Sequence, residues 1–348
     1  MNKRLSNKYN MKFTREISHK NLGIQIFRML LCFWVVLDHC LGHKINRIFR
    51  IRLHVPCFIL ISFYFSYKII SGRNTIKIKK RFERLLIPYF IFPIIVSLIN
   101  NFSFHYFNFS IFRRKINFHD LFIQFAVGRQ FILVFWFQFF LIWTSLLFII
   151  ISFLFKKKFI LIIQLIYITS NFLIYSKINY NFFRLFGSSV RYSIGQIAEV
   201  MSLSVIGFII GYLNILIIIQ KYYKRTIFFS LIGLLFLFRY NIFSFISTNA
   251  FGGLTLDIGS ILGFLLFYFL PLNNIKYQIF YKIICQITNY TQGIYSLHLL
   301  LDPVLANKIN SVKSRSFNGC IIIYIVCYFI SFLGEKLTRK TKLIYLFV

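Results

Sequence analysis

An all-α, polytopic transmembrane helical bundle of about ten spans, with both termini cytoplasmic, follows from three features of the chain. Hydrophobic residues fill 58% of its 348 positions and mean hydropathy is +0.71, an excess that calls for an apolar solvent. Runs of about 18 or more apolar residues recur along the whole length. Lys and Arg gather at the ends of these runs, which is the pattern of membrane anchoring and orientation.

The expected spans are 22–42, 54–72, 84–102, 131–155, 159–176, 197–219, 226–240, 254–272, 286–306 and 318–334. Helices rather than strands are expected in each, because backbone groups in hydrocarbon must pair within their own segment. A barrel would need alternating strands, and these runs are apolar all round. The seventh span is short, and the loop 103–130 has room for an interfacial helix around Leu121–Val127. Placing the N-terminus inside puts about 24 Lys and Arg in cytoplasmic segments against about 15 in the opposite loops, so both termini are assigned to the cytoplasm. The loop with Lys44, Arg47, Arg50 and Arg52 carries more charge than that rule expects of an outer loop. Residues 1–20 form a polar, basic tail unlike a cleavable signal, so the first span is expected to stay. Residues 21–335 form the membrane domain and 336–348 a second basic cytoplasmic tail.

The net charge of +33 raises nucleic-acid binding, which the distribution of charge at span ends argues against. Abundant Phe, Ile, Lys, Asn and Tyr also fit AT-rich coding. Cys32, Cys40, Cys57, Cys285, Cys320 and Cys327 are scattered, mostly inside apolar runs, with no CxxC and no metal spacing. They read as small core residues, and no metal is expected.

Ionisable residues within spans are costly and therefore candidates for function. The first span holds Arg28, Asp38 and His39. Arg28 and His39 are eleven residues apart, which places them on one helix face about 16 Å apart along the axis. Asp38 is turned about 100° from His39 and must meet another helix. A neutral imidazole can take a proton from a hydroxyl, and a guanidinium can bind phosphate or a developing negative charge. The plainer reading is a histidine bonded to a neighbouring helix and an arginine reaching for the interface. Arg81 and Arg84, three apart in the run Lys77 to Tyr89, share one face and suit a polyanionic ligand; for these residues taken by themselves, positive-inside anchoring is the plainer reading. Pro88 is expected in a first helical turn, where its missing amide costs little. Further along, Glu199 and Arg191 can share a face, Asp257 opens the eighth span and His298 lies inside the ninth.

The order of these features resembles the acyltransferase-3 family of membrane enzymes, which move acyl groups, usually acetyl, from acyl-CoA to hydroxyls. Arg28 and His39 resemble the family's Arg, ten residues, His. Val55-Pro56-Cys57-Phe58 to Ser62-Phe63-Tyr64 resembles its second-span pattern. Arg81, Arg84, Pro88 and Tyr89 resemble its Arg-x-x-Arg and Pro-Tyr. Trp136-Phe137 resembles its Trp-aromatic opening of a span, and Tyr290 to Tyr295 to His298 its late tyrosine and histidine pattern. The likeness runs from about residue 20 to 335. Phe63 stands where the family usually has glycine, Gln138 where it often has leucine, and no hydrolase-like domain is expected after the last span.

The resemblance implies a membrane-bound O-acyltransferase, multi-pass in the plasma (inner) membrane. Acetyl-CoA, or another acyl-CoA, would be the donor, and a sugar hydroxyl of a surface glycan or glycolipid precursor the acceptor. It implies His39, Arg28 and Asp38 as catalytic residues, with His39 acting as general base or transient acyl carrier. Arg81 and Arg84 would bind the nucleotide phosphates, and Glu199, His298 and Trp136 would line the acceptor site. From the residues alone, a transporter or flippase using the same buried charges remains open, although no inverted repeat is evident. A purely structural subunit fits less well with charges aligned along the first span. Acceptor identity and oligomeric state are not encoded in any motif.

Overall fold

The computed structural model describes residues 21–41, 53–72, 74–107, 115–128, 135–155, 161–166, 168–169, 188–240, 254–272, 278–306 and 309–348. Every regular element among these residues is helical. In chain order they are α1 (Leu22–Leu41), α2 (His54–Ser71), α3 (Thr75–Phe107), α4 (Phe118–Val127), α5 (Trp136–Leu154), α6 (Ser188–Tyr212), α7 (Ile215–Gln220), α8 (Tyr223–Tyr240), α9 (Leu254–Phe269), α10 (Gln278–Asn289), α11 (Thr291–Ala306), α12 (Asn310–Lys313) and α13 (Phe317–Thr338), followed by a 3₁₀ turn at Lys342–Leu346.

The radial arrangement of polarity is that of a protein dissolved in lipid. Large apolar side chains such as Phe90, Leu98, Trp143, Ile150 and Phe153 stand on the outside, while Gln138, Ser145, Asp257, Ser260 and His298 are buried. A water-soluble bundle would invert this order, because exposed apolar area of that extent is unfavourable in water. Among the described residues four helices are long and apolar enough to cross a bilayer: Leu22–Leu41, Thr75–His105, Trp136–Leu154 and Phe317–Thr338. Shorter apolar helices cover His54–Tyr67, Phe118–Val127, Val200–Tyr212 and Leu256–Phe269.

Helix α1 is central. It packs on α2, α9, α10, α11 and α13, and its buried set includes Leu31, Cys32, Val35, Val36 and Cys40. In lipid, burial of apolar surface does not by itself drive helices together, so close backbone approach has to do so. The α2–α6 contact shows this: a Cβ added to Gly207 would lie 2.4 Å from the Leu60 carbonyl oxygen. Phe63, the residue standing where a glycine was expected, is fully buried and meets Phe148 and Phe140 edge-on at 5.3 and 6.3 Å. The close approach of α2 is thus made on its α6 side, and Phe63 fills the α5 side.

Several expected boundaries move. Helix α3 begins at Thr75 rather than 84, so the basic run is helical and projects beyond the apolar segment. Pro88 therefore lies well inside α3, with Pro93 one turn further on, and the expected first-turn position is corrected. The span expected at 286–306 is two helices broken at Tyr290. The Tyr290 amide bonds Ile287 O at 3.0 Å, tightening the last turn of α10, and its hydroxyl donates to the Glu335 carboxylate of α13. The span expected at 197–219 breaks at Leu213 and Asn214, where Asn214 adopts a left-handed conformation (φ 51°) and its amide oxygen accepts from the Tyr67 hydroxyl at 3.3 Å. The expected interfacial helix is α4. Its first turn carries a reciprocal cap in which the Asn117 side chain accepts from the Asp120 amide and the Asp120 carboxylate from the Asn117 amide.

The last residues lie on the bundle. Leu346 is buried, Lys342 Nζ lies 2.7 Å from Glu83 Oε1, and the Arg84 guanidinium stacks over the Tyr345 ring at 6.0 Å. The hydrogen bond to Glu83 raises the Lys342 ammonium above its ordinary value. Residues 1–20, the basic loop from Lys44 to Arg52 and most of the expected span 159–176 lie outside the described residues.

Candidate active site

The site is organised along α1. Arg28 lies toward the start of that helix and His39 near its end, and α11 runs beside it, meeting both. At the first level, Arg28 Nη2 donates to Thr291 Oγ1 at 3.2 Å and Nη1 to Gln25 Oε1 at 3.4 Å. The Cys32 thiol, one turn on, reaches the Thr291 carbonyl at 3.7 Å. Thr291 is available because the chain breaks at Tyr290 and starts a new helix there. At the second level the His39 and His298 rings lie 5.1 Å apart, tilted by 43°.

His298 is fully buried. Its Nδ1 lies 3.2 Å from the Ile294 carbonyl. A carbonyl can only accept, so in the neutral ring Nδ1 carries the hydrogen and Nε2 presents a lone pair. Nε2 has no hydrogen-bond partner among the described residues, and neither has Ser296 Oγ, two residues earlier on another face of α11. The Tyr295 ring lies 6.1 Å from His298 and 5.5 Å from Phe137 at the start of α5. An aromatic path thus joins the histidine pair to α5.

Asp38 does meet another helix. Its Oδ2 lies 3.9 Å from His54 Nε2 at the start of α2, and the His54 ring packs 5.8 Å from Trp34. The acid of the first span is thereby directed at α2 rather than at His39, which the 100° step between consecutive residues requires. The sequence motifs include Ser62, in the second-span pattern, but not His54, Ser145 or Thr291 as site residues. For His54 a signal existed, a histidine opening the second span. Ser145 and Thr291 carry none, because hydroxyls are common in membrane helices and only the packing shows which face a charge.

Arg81 enters between α2 and α5. Its Nε and Nη2 donate to Ser145 Oγ at 3.3 and 3.1 Å, and Nη2 also to Ser62 Oγ at 3.3 Å. The guanidinium lies 5.8 Å over the Phe63 ring. Arg84 is exposed, lies close enough to Arg28 for their charges to interact, and faces Tyr345. Among the described residues no carboxylate pairs with Arg28 or Arg81. Ser145→Ala is expected to lower stability by about 1–2 kcal/mol, read as an earlier thermal transition in detergent, since it leaves Arg81 with Ser62 as its one remaining hydroxyl.

The structure therefore brings Arg28, His39 and His298 into one column and sets Arg81 and Arg84 beside its Arg28 end. Trp136 is buried as the first residue of α5, next to the Phe137 ring that reaches Tyr295. Glu199 belongs to α6, but its side chain, like that of Arg191, lies outside the described residues. Asp257 accepts from Ser202 at 3.0 Å between α9 and α6, a structural pairing. Among the described residues no cluster of His, Cys, Asp or Glu could hold a metal ion.

Two cations inside an apolar bundle, and a histidine pair beyond them, serve acyl transfer or transport equally well on geometry alone. The model of the acyltransferase-3 family, an acyltransferase domain, matches residues 21–347. The chain belongs to the acyltransferase-3 family. No curated protein and no solved structure matches it. As an acyltransferase-3 chain it is a membrane acyltransferase, and the family match includes the C-terminal residues that pack against Glu83 and Arg84.

Proposed function

We propose that this acyltransferase moves an acetyl group from acetyl-CoA to a sugar hydroxyl of a cell-surface glycan or its lipid-linked precursor, as a multi-pass enzyme of the plasma (inner) membrane. The observation that carries the donor is the pair Arg28 and Arg81: both are half-buried and bonded to neutral groups alone among the described residues. A cation withdrawn from water without a counter-charge is unfavourable, and the phosphates of a nucleotide thioester would supply that charge. Arg84, exposed at the same end, would take part as the outermost contact. That end is assigned to the cytoplasm, where acyl-CoA is available.

The histidine pair lies on the other side of this cluster, about 16 Å along α1 from Arg28. With the phosphates held at the arginines, the extended arm of the donor would place its thioester near His39. His39 takes the proton of the acceptor hydroxyl as its oxygen attacks the thioester carbonyl. Collapse of the tetrahedral intermediate breaks the carbon–sulfur bond, forms the ester, and returns the proton to the departing thiolate. His298 Nε2 accepts a hydrogen bond from the acceptor, and Asp38 acts through His54. Trp136 and Glu199 are assigned to the acceptor side.

The test is acetyl transfer in purified membranes from radiolabelled acetyl-CoA, with wild type, His39→Ala and Arg28→Ala at matched expression. Incorporation into glycan or lipid is expected for wild type and is expected to vanish in both variants. Transfer that survives Arg28→Ala at limiting donor would remove Arg28 from the donor site.

A further inference from the structure

Gln138 is fully buried, and neither its Nε2 nor its Oε1 has a hydrogen-bond partner among the described residues. A carboxamide sealed in this way forfeits its bonds to water at both ends, and such a group in a native structure calls for a reason. Its position supplies one. Gln138, Ser145 and Ser152 are spaced by seven residues, which puts them on one face of α5, within about 40° of each other. All three are buried. Ser145 holds Arg81, and Ser152 donates to the Ile70 carbonyl of α2 at 3.5 Å. Gln138 is the third polar member of this face and the one left without a hydrogen-bond partner among the described residues.

The face lies inside the bundle. Phe137, the preceding residue, meets Phe58 of α2 and Tyr295 of α11, while Phe139, the next, packs on Tyr89 of α3. Gln138 falls between them. Along the axis it is about 10 Å from Ser145, and so from the guanidinium of Arg81. In the other direction Phe137 is level with Tyr295, which precedes His298 by about one turn. Gln138 therefore stands between the cation cluster and the histidine pair, about one helical turn short of the latter.

We propose that Gln138 binds the amide of the pantetheine arm nearest the thioester. This inference rests on the acyl-CoA reading above and names a contact within that donor site. A primary carboxamide offers one acceptor and two donors, so Oε1 can take the N–H of a secondary amide while Nε2 gives to its carbonyl. In an acyl thioester of coenzyme A that amide is two methylenes from the sulfur. With the amide at Gln138, the thioester falls about one turn further on, at the His39 and His298 rings, and the phosphates fall toward Arg81 and Arg28. Leucine at this position could make neither bond.

The experiment compares wild type with Gln138→Met, which keeps length and removes both bonds, and with Gln138→Glu, which keeps an acceptor and replaces the two N–H donors with at most one O–H. Three quantities are read: thermal stability without ligand, affinity for coenzyme A in detergent, and acetyl transfer in membranes from acetyl-CoA, from acetyl-N-acetylcysteamine and from S-ethyl thioacetate. The second thioester retains the amide in question and lacks the phosphates; the third lacks both. In Gln138→Met, coenzyme A binding and KM for acetyl-CoA are expected to worsen about tenfold, with kcat changed far less. The preference for acetyl-N-acetylcysteamine over S-ethyl thioacetate is expected to disappear. Stability without ligand is expected to stay level or rise, because the unpaired groups are gone. A Gln138→Met protein of reduced stability that keeps the wild-type preference would make Gln138 a structural residue and overturn the proposal. Unchanged KM and affinity in both variants would overturn it while leaving the donor reading intact. Wild type that neither binds coenzyme A nor uses any of the three thioesters would overturn both.

Discussion

His39→Ala is expected to reduce acyl transfer by about 10²–10⁴-fold, the range over which a positioned general base acts. The loss should fall on kcat, because the imidazole is assigned to proton transfer rather than to holding the donor. The ring packs on His298, but the apolar seam of α1 is made by other residues. The residues that α1 buries are Leu31, Cys32, Val35, Val36 and their neighbours, and Arg28 keeps Thr291 and Gln25. The variant should therefore reach the membrane at wild-type level and unfold at a similar temperature. Asp38 is not expected to replace the base, since it is turned toward His54. His298 sits 5.1 Å away with its Nδ1 committed to Ile294, so it can hold an acceptor hydroxyl but lies one ring too far to occupy the missing position. Turnover within a few-fold of wild type, measured on folded protein with saturating acetyl-CoA, would remove His39 from the chemistry and pass the role to His298.

Gly23→Val is expected to destabilise the bundle by about 3 kcal/mol, at the upper end of overpacking costs. A Cβ at this position would lie 1.9 Å from the Phe267 carbonyl oxygen and 3.0 Å from its carbon. Both are backbone atoms, so no side-chain rotation relieves the clash. The contact is further fixed by Asn21 Nδ2, which donates to the Tyr268 carbonyl at 2.8 Å, and by Phe27, which stacks on Phe267 at 4.4 Å. Relief requires α1 to move away from α9, and Arg28 lies five residues along the same helix. The expected result is a markedly lower thermal transition in detergent, accompanied by weaker donor use. Gly23→Ala should show the same change in smaller degree, because its Cβ meets the same carbonyl. A transition temperature equal to wild type for the valine variant would show that this approach of α1 to α9 is not the one that holds the bundle together.

Much of this molecule is legible without coordinates, for reasons that can be named. Helix type follows from the absence of water in hydrocarbon, which leaves intrasegment pairing as the available solution. The first span is expected at 22–42 and its helix runs Leu22–Leu41, because a mainly apolar run of that length is flanked by polar and basic residues. The relation of Arg28 to His39 is intrahelical, and helical geometry sets it whatever the neighbours do. Family membership was also readable, since the order of short motifs is a property of the chain.

Boundaries failed where a backbone break is set by a neighbour. Nothing in Asn289-Tyr290-Thr291 announces a helix end; the break is held by the bond from Tyr290 to Glu335, 45 residues away. For the same reason Thr291 could not be recognised as the partner of Arg28. The start of α3 at Thr75 precedes the apolar run because the basic segment, which reads as a loop in sequence, continues the helix past it.

The sequence by itself determined that the chain is a helical membrane protein of the acyltransferase-3 kind, and that Arg28 and His39 share a face of its first span. Those are consequences of composition, period and motif order, all local along the chain. The tertiary structure alone decided that His298 meets His39, that Asp38 turns to His54, that Arg81 is held by serines of two other helices, and that Gln138 is buried with its amide unpaired among the described residues. Each of these depends on which faces of separate helices come together. In lipid that choice rests on close backbone approaches and a few interhelical hydrogen bonds, not on a hydrophobic stripe that could be read from one segment.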